Sequence, residues 1–429
     1  MLYTEKLLAE LERQRDAFAR YSARFGRQIE AYRAALGSLG ERYPTAAALE
    51  AALSAYEHAS GAHPTAEYDR WRALQPPPGK TAPALPFAPS FANHEEARAW
   101  AECLRGVTTV AVDGSQLLPW RDASLPVAIV QAGVYENPHE PPAPYLKDVV
   151  TVVLTPEELF AAEEQEEQND ETRFSIAGQA DRMVHLRRFE LEVETLIARM
   201  RAHAGRQASG RAEPEHPPIV VFCDGSLIVS FARRMAPSYR ECYLRAEHRL
   251  LAASEEYRAP LVGYIDTSLA RDMVMMLRAL PAVGEALPAP RGVSDALLWR
   301  GALDWGDRTP AFLAARADLP GEEPQGAEAA GQDVAFVYFQ AALDRPPARI
   351  EFPRWILDAG LLDQMMDAVR AETIVGNGYP YPIEAADAVA VITTEDRARF
   401  YRLFQEFAER EGLPFGFSRK ALSKSRRRV

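Results

Sequence analysis

The chain has 429 residues with a formal net charge of −12, and 47% of its residues are hydrophobic and 26% charged. This is the composition of a globular protein with a large core, and no stretch approaches the about 20 apolar residues of a membrane span. The first residues, MLYTEKLLAELERQ, lack the pattern of a signal peptide. Cys103, Cys223 and Cys242 show no CxxC spacing, so we expect free thiols in a reducing cytoplasm. The acidic balance argues against a protein that coats nucleic acid, but it does not exclude an enzyme with a local basic groove.

The N-terminal part of the chain is predicted to be a helical extension. Over residues 1–36, apolar side chains recur at steps of three and four residues and predict one amphipathic helix: Leu7, Leu11, Phe18, Tyr21, Phe25, Ile29, Tyr32 and Leu36. This helix either packs on its own domain or pairs with a second copy or a partner protein. A second helix is predicted over residues 45–58. Residues 60–92 are rich in proline and predict a linker or an extended strap, so residues 1–92 form the predicted extension.

Two β-branched runs end on the same tripeptide, Asp-Gly-Ser. Residues 107–115 read VTTVAVDGS, and residues 219–227 read IVVFCDGSL. Each run predicts a strand that stops at its aspartate, because glycine allows a sharp turn and serine can bond the local backbone. Either copy alone is typical of an ordinary turn. If the two strands are neighbours, Asp113 and Asp224 form a carboxylate pair of the kind that holds divalent metal.

The order of the other predicted elements indicates the fold class. Three strands are predicted first, then a helix, the second Asp-Gly-Ser strand, a helix and a further strand, which is the order of the ribonuclease-H-like fold. In that fold the first and fourth strands lie side by side. We therefore predict an α/β domain over residues 93–411, with a ribonuclease-H-like mixed sheet and flanking helices, followed by a basic tail over residues 412–429. The individual predictions are strands at 126–135, 146–154 and 261–266, a hairpin at 334–342 and 348–352, helices at 94–105, 181–203, 237–257, 269–280, 358–371, 383–392 and 395–411, an acidic helix and loop at 157–171, a polar loop at 204–218 and a mobile loop at 316–332.

The helix predicted at residues 181–203 is expected to supply a third carboxylate. At about 100° per residue its apolar side chains share one face: Met183, Leu186, Val193 and Ile197. Glu190 lies at the edge of this face, Glu194 lies further round and Glu192 points away, so Glu190 is the predicted site residue. The alternative is that Glu190 pairs with Arg187 or Arg188 at the surface, and Glu194 is only one turn from Glu190.

Over roughly residues 100–395 these motifs resemble the NurA-type nucleases, which work with hexameric DNA translocases of the HerA type. The resemblance rests on AVDGS with Asp113, RRFELEVE with Glu190, FCDGSL with Asp224, the late GYPYPIEAAD and the strand ARIEFPRWI. It implies a ribonuclease-H-like fold, manganese binding, and a homodimer seated on the translocase ring. It also implies degradation of DNA from 5′ ends and nicking of single strands.

The resemblance implies a set of site residues in this sequence. Asp113, Glu190 and Asp224 correspond to the family's metal ligands, and Tyr379 corresponds to its late tyrosine. Asp387 stands where the family usually has a histidine, and an aspartate can also ligate a hard metal. An all-carboxylate site favours Mn²⁺ or Mg²⁺ over zinc, and two such ions could activate water and stabilise the leaving 3′ oxygen. Tyr379 could position a phosphate or stack on a base, or it could only pack in a turn.

Substrate contact requires local positive charge. Arg233, Arg234 and Arg240 follow the second Asp-Gly-Ser and predict a phosphate track, although scattered arginines are more often solvated surface. The predicted function is a Mn²⁺- or Mg²⁺-dependent deoxyribonuclease, a 5′–3′ exonuclease and single-strand endonuclease. Its expected partners are single-stranded DNA, duplex ends, a HerA-like hexameric ATPase and a second copy, in DNA end processing or defence. The alternative is a catalytically inactive adaptor of the same fold that binds DNA or the translocase.

Overall fold

The computed structural model describes residues 2–55, 61–76, 78–80, 82–120, 123–160, 176–208, 219–315 and 334–416. Tertiary contacts divide the chain into two units. The first unit comprises Met1–His94 and Tyr264–Arg354, and the second comprises Glu95–Gly263 and Trp355–Val429.

The helices, in chain order, are α1 (Thr4–Gly37), α2 (Leu39–Arg42), α3 (Ala46–Ser54), α4 (Glu67–Arg72), α5 (His94–Trp100), α6 (Pro156–Phe160), α7 (Ile176–Ala208), α8 (Pro237–Glu256), α9 (Asp272–Ala279), α10 (Pro281–Gly284), α11 (Asp295–Trp299), α12 (Trp355–Asp358), α13 (Leu362–Val375), α14 (Tyr381–Ala390) and α15 (Thr394–Arg410). The strands are β1 (Gly61–Pro64), β2 (Thr108–Leu117), β3 (Ala128–Asn137), β4 (Leu146–Leu154), β5 (Ile219–Asp224), β6 (Leu261–Ile265), β7 (Phe312–Ala315), β8 (Val334–Phe339) and β9 (Ala348–Pro353). Short 3₁₀ helices cover Ala101–Leu104 and Ser230–Arg234.

The two halves of helix α1 differ in burial, and each fits one of the two alternatives, packing on its own domain or pairing with another chain. Near its C-terminal end, Tyr32 and Leu36 are buried, and the Tyr32 hydroxyl donates a hydrogen bond of 2.7 Å to the carbonyl of Pro288 in the same unit. Toward the N-terminus the apolar side chains are exposed: Leu7, Leu8, Leu11, Phe18 and Tyr21. One half therefore packs within its own unit, and the other half presents an apolar stripe to solvent.

The first unit contains four strands in the order β1-β7-β8-β9. The antiparallel pairing of β8 with β9 confirms the predicted hairpin. Strand β1 and helix α4 lie within the proline-rich segment 60–92, where the sequence indicated only a linker or strap. Strand β1 pairs with β7, far away in sequence, and a pattern argument confined to a short window cannot detect such a partner.

Strand β9 carries a buried charged cluster within the first unit. The Arg349 guanidinium donates to Glu351 at 2.7 Å and to Asp272 at 2.8 Å, and it lies 3.8 Å from the ring centroid of Phe336. Burial, followed by the charge of Asp272, raises the pKa of Asp295 to about 7. Since an unpaired buried charge is costly, this mutual pairing explains why the ARIEF strand tolerates charged residues in the core.

The second unit has the predicted ribonuclease-H-like order. Strands β2, β3 and β4 pair antiparallel in sequence order, and β5 lies parallel to the other side of β2. The β2–β5 register runs from Thr108 opposite Ile219 to Val112 opposite Cys223. Helix α7 packs against β2, β3 and α8, and α14 packs against β2 and β3. The side-by-side placement of the first and fourth strands is confirmed.

Some element boundaries differ from the prediction, and some predicted segments cannot be compared. Helix α7 extends beyond 181–203 at both ends, into the stretch expected to be a polar loop. The larger part of the acidic stretch, the end of the polar loop, the predicted mobile loop and most of the basic tail lie outside the described residues.

The three cysteines are free thiols. Among the described helices, none has both the length and the apolar character needed to cross a membrane.

Candidate active site

The second Asp-Gly-Ser forms the predicted turn. Strand β5 ends at Asp224, and Gly225 has φ of 111°, a value that glycine adopts readily and other residues rarely do. The Ser226 hydroxyl both donates to the carbonyl and accepts from the amide of Ile228, at 3.1 Å in each case. The turn places the exposed Asp224 carboxylate at the end of the strand, as the sequence predicted.

The first Asp-Gly-Ser does not form a turn, and the prediction that its strand stops there is wrong. Strand β2 continues to Leu117, because Asp113, Gly114 and Ser115 remain in register with β3. Glycine is required at position 114 for space. A Cβ there would collide with the carboxyl group of Glu192 and lie 2.8 Å from Cγ of Arg188. This glycine therefore lets helix α7 approach β2 closely.

The two faces of β2 at this point meet different helices. Gly133 of β3 lies opposite Asp113, and a Cβ on Gly133 would be 2.8 Å from the carbonyl oxygen of Ala386 in α14. Because successive residues of a strand face opposite sides, Gly114 faces α7, whereas Asp113 faces α14. Helix α14 carries Asp387, so the structure brings Asp387 to Asp113.

Three carboxylates and one phenol meet on the α14 side. Burial raises the pKa of Asp113 to about 6, with further increases from the Asp387 carboxylate in contact with it and from the charge of Asp224. The Tyr379 hydroxyl donates a hydrogen bond of 2.9 Å to Oδ1 of Asp224. The structure therefore brings together four of the five predicted residues: Asp113, Asp224, Tyr379 and Asp387.

The fifth predicted residue, Glu190, is not brought to this cluster. Nη1 of Arg187 lies 3.2 Å from a carboxylate oxygen of Glu190 and 3.2 Å from one of Glu194, so these two glutamates share one arginine. Glu192, which the sequence analysis expected to point away, lines the same cleft as Asp113 and Asp224. That expectation is wrong, and the surface-pairing alternative for Glu190 describes the structure.

The electrostatics of Glu192 also connect it to the aspartates. Burial raises the pKa of Glu192 to about 7, the Arg188 guanidinium opposes this increase, and the charges of Asp113 and Asp224 add to it. The side chain is only 19% exposed. Glu192 is therefore close enough to both aspartates for their charges to raise its pKa.

The different placements of Glu190 and Glu192 have a physical reason. The prediction for Glu190 rests on one apolar face of α7, but the helix buries a second face, since it packs on the sheet as well as on α8. The second face is marked by Val184, Leu191 and Thr195. At about 100° per residue Glu192 falls between the two faces. A helix with two apolar faces and a glycine in the facing strand were the signals available in the sequence.

Arg188 occupies the position of a counter-ion in this site. It donates hydrogen bonds to the Glu192 carboxylate and, at 3.2 Å, to the carbonyl of Gly114. Its buried Nε has no hydrogen-bond partner in the described part of the chain. Arg188 therefore balances one of the clustered negative charges but is itself incompletely satisfied.

The donor set suits a hard divalent cation. Oxygen ligands are those that Mn²⁺ and Mg²⁺ prefer. Burial, and to a smaller extent the neighbouring aspartates, raise the pKa values of Asp113 and Glu192, and a bound cation would favour their ionised forms. Over the described ranges, no three His, Cys, Asp or Glu side chains already converge as a ligand set. Glu192 is paired with Arg188, so metal binding by all these residues requires that pair to open.

The predicted phosphate-binding arginines are only partly described. The backbones of Arg233 and Arg234 belong to the 3₁₀ helix Ser230–Arg234, and their side chains lie outside the described part of the structure. Arg240 is half-buried on α8 and does not line the cleft beside the aspartates.

Comparison with known proteins identifies the family. The NurA domain model matches residues 107–392, two thirds of the chain. The chain belongs to the NurA domain family. The resemblance inferred from the Asp-Gly-Ser motifs is thereby confirmed, and a comparison with curated proteins found no match.

Solved structures of low sequence identity are similar to this chain. The NurA nuclease from Sulfolobus solfataricus is 14% identical, over 71% of this chain and 85% of that chain, with a TM-score of 0.42. A NurA bound to dAMP and manganese is 11% identical, over 68% and 86%, with a TM-score of 0.33. An endonuclease V from Bacillus subtilis is 13% identical, over 74% and 87%, with a TM-score of 0.28.

Proposed function

We propose that the protein is a Mn²⁺- or Mg²⁺-dependent deoxyribonuclease whose metal ligands are Asp113, Asp224, Glu192 and Asp387. Glu192 takes the role for which the sequence analysis selected Glu190. The observation that carries the proposal is the carboxylate cluster on neighbouring parallel strands, where burial and neighbouring charges raise the pKa of Asp113 to about 6 and that of Glu192 to about 7. Membership of the NurA domain family also supports the proposal.

Each residue has a role that follows from its position. Asp113 and Asp224 would hold a cation from adjacent strands, and Glu192 would be a further ligand if its pair with Arg188 opened. The bound ion supplies a water of lowered pKa and charge stabilisation for the leaving oxygen. The Tyr379 hydroxyl orients Asp224 through the 2.9 Å hydrogen bond. The guanidinium of Arg188, if that pair opened, could contact a phosphate oxygen, a role to which its fork geometry is suited.

The finer activities are part of the proposal. We infer 5′–3′ exonuclease and single-strand endonuclease activity, together with a HerA-like hexameric translocase as partner and a homodimeric state, from membership of the family. The exposed apolar stripe on the N-terminal half of α1 supports an interface with another protein chain.

A catalytically inactive adaptor is the second candidate. The observation that favours it is the Arg188–Glu192 pair, which balances the site without a metal ion. An adaptor of this kind binds DNA or the translocase and leaves DNA intact with or without Mn²⁺, so Asp224→Asn changes nothing in a cleavage assay.

A cleavage assay separates the two candidates. Labelled single-stranded and duplex DNA is incubated with the purified protein in Mn²⁺, Mg²⁺ or EDTA, with and without the translocase. We expect metal-dependent cleavage that falls by at least about a hundredfold in Asp224→Asn, since even outer-shell changes at metal sites cost about 10–100-fold. The matched control is Asp148→Asn in β4, a carboxylate with 53% exposure. DNA that stays intact under every condition contradicts the nuclease proposal.

A further inference from the structure

The cleft that contains the carboxylates has a volume of about 480 Å³ and extends beyond them. Residues of α7, of α8 and of the turn after β5 line it, and it shares Asp113, Glu192 and Asp224 with the site. Its volume falls within the range of about 300–1,000 Å³ that is typical of small-molecule sites. The cleft is therefore large enough for a nucleotide-sized group.

Away from the aspartates, the lining of the cleft includes a group of aromatic side chains. The ring centroid of Tyr243 lies 5.1 Å from that of Phe189 and 5.1 Å from that of Phe231, with interplanar angles of 46° and 82°. Tyr243 is buried, but Phe231 is 51% exposed. An exposed ring that is held edge-on against a buried one offers a fixed aromatic surface to a flat ligand.

The polar groups of the cleft are arranged for the other parts of a nucleotide. Arg182 and His185 also line it, and their side chains offer hydrogen-bond donors to a phosphate. Burial raises the pKa of Tyr243 to about 12, so its hydroxyl stays neutral at physiological pH. The rings of Phe189, Phe231 and Tyr243 carry no charge, and the buried Glu247 also lines the cleft, so this part of it disfavours a phosphate but accepts a base.

We propose that this cleft binds one unpaired nucleobase of the DNA strand, next to the phosphodiester bond at the carboxylate site. The identification of the strand as DNA rests on the proposed function. Stacking on an aromatic ring recognises every base, since each has a π-face, so the cleft selects for unpaired bases without selecting a sequence. A base can enter only after it has left the duplex stack. The cleft therefore accounts for action on single strands and on frayed duplex ends.

The test measures base stacking without cleavage. A single-stranded oligonucleotide that carries one 2-aminopurine is titrated with the full-length protein in EDTA, and 2-aminopurine emission is followed together with anisotropy. We expect quenching on binding, and an affinity reduced about tenfold with loss of quenching in Phe231→Ala. Phe231→Leu retains apolar contact and is expected to lose the quenching as well. Phe231→Tyr is expected to retain it.

Phe407→Ala is the matched control, because Phe407 is a 42% exposed phenylalanine of the same unit and does not line the cleft. Unchanged emission when anisotropy shows full binding overturns the proposal, and so does absence of binding or quenching that survives in Phe231→Ala. That last result is expected if the cleft instead receives a side chain of a partner protein.

Cleavage of the same oligonucleotide in Mn²⁺ separates this proposal from the proposed function. Quenching that depends on Phe231 without any metal-dependent cleavage refutes the nuclease but supports the base site. Cleavage at equal rates whether the base next to the scissile bond is present or replaced by an abasic analogue supports the nuclease and overturns the base site.

Discussion

Substitution of Glu192 by glutamine tests the assignment of the third carboxylate. The pKa of Glu192 is raised from an ordinary 4.5 to about 7, mainly by burial and also by Asp113 and Asp224. At 1.36 kcal/mol per pKa unit, the ionised side chain is disfavoured by about 3 kcal/mol in the metal-free protein. Glu192→Gln removes this cost and also the ion pair with Arg188, so we expect metal-free stability to change by less than about 2 kcal/mol.

The response to metal is expected to change much more. A ligand present at 100 times its Kd stabilises the state that binds it by about 2.7 kcal/mol. At about 1–2 °C per kcal/mol for a chain of 429 residues, Mn²⁺ should raise the wild-type Tm by about 3–5 °C. In Glu192→Gln most of this increase should be lost, because the variant lacks one of the anionic ligands.

The assay is thermal unfolding at about pH 8, with Mn²⁺ and with EDTA, where Glu192 is largely ionised. Glu190→Gln is the matched control, since Glu190 also pairs with an arginine of α7 but does not line the cleft. If Glu190→Gln abolished the Mn²⁺ response and Glu192→Gln retained it, the assignment made from the structure would be refuted.

Three other predictions follow from local contacts. Gly114→Ala is expected to destabilise the protein by about 1–3 kcal/mol in denaturant unfolding, because its Cβ would lie 2.8 Å from Cγ of Arg188, near the backbone of α7; an unchanged midpoint would contradict the close approach. Tyr379→Phe removes the hydrogen bond to Asp224 and should lower kcat about 10–100-fold with little change in KM; a change in KM alone would argue for substrate binding instead. Burial opposes the charge of His139, but the nearby Glu372 carboxylate raises its pKa overall. The stabilising contribution of His139 is therefore complete below pH 6.5 and is lost as pH rises through the higher pKa of the folded state. The free energy of unfolding measured in urea should fall over that pH window in wild type and should fall less in His139→Gln.

The sequence predicted the parts of the site that depend on local chemistry and element order. Strand β5, its terminal Asp224 and the turn at Gly225 are specified by neighbouring residues, because only a glycine readily adopts φ of 111°. The strand and helix order correctly placed β2 beside β5. Asp387 was found through the family resemblance, and the structure places it against Asp113.

The features that the sequence did not predict depend on contacts between distant segments. Strand β2 continues through Asp-Gly-Ser because β3 remains paired with it, which the tripeptide alone cannot indicate. Glu192 could be distinguished from Glu190 only once α7 was known to bury two faces, one on the sheet and one on α8. Strand β1 depends on β7, which is distant in sequence. In each case a contact between segments distant in sequence decides the structure, and the pattern of neighbouring residues does not reveal that contact.

The central claim is that a divalent cation held by Asp113 and Asp224 cleaves DNA, and a time course of single-strand cleavage tests it most directly. Wild type, Asp224→Asn and Asp148→Asn are compared in Mn²⁺ and in EDTA, with the translocase present. We expect wild type and Asp148→Asn to degrade the strand only in Mn²⁺, and Asp224→Asn to leave it intact. Intact DNA with wild type, or equal cleavage by wild type and Asp224→Asn, would contradict the claim.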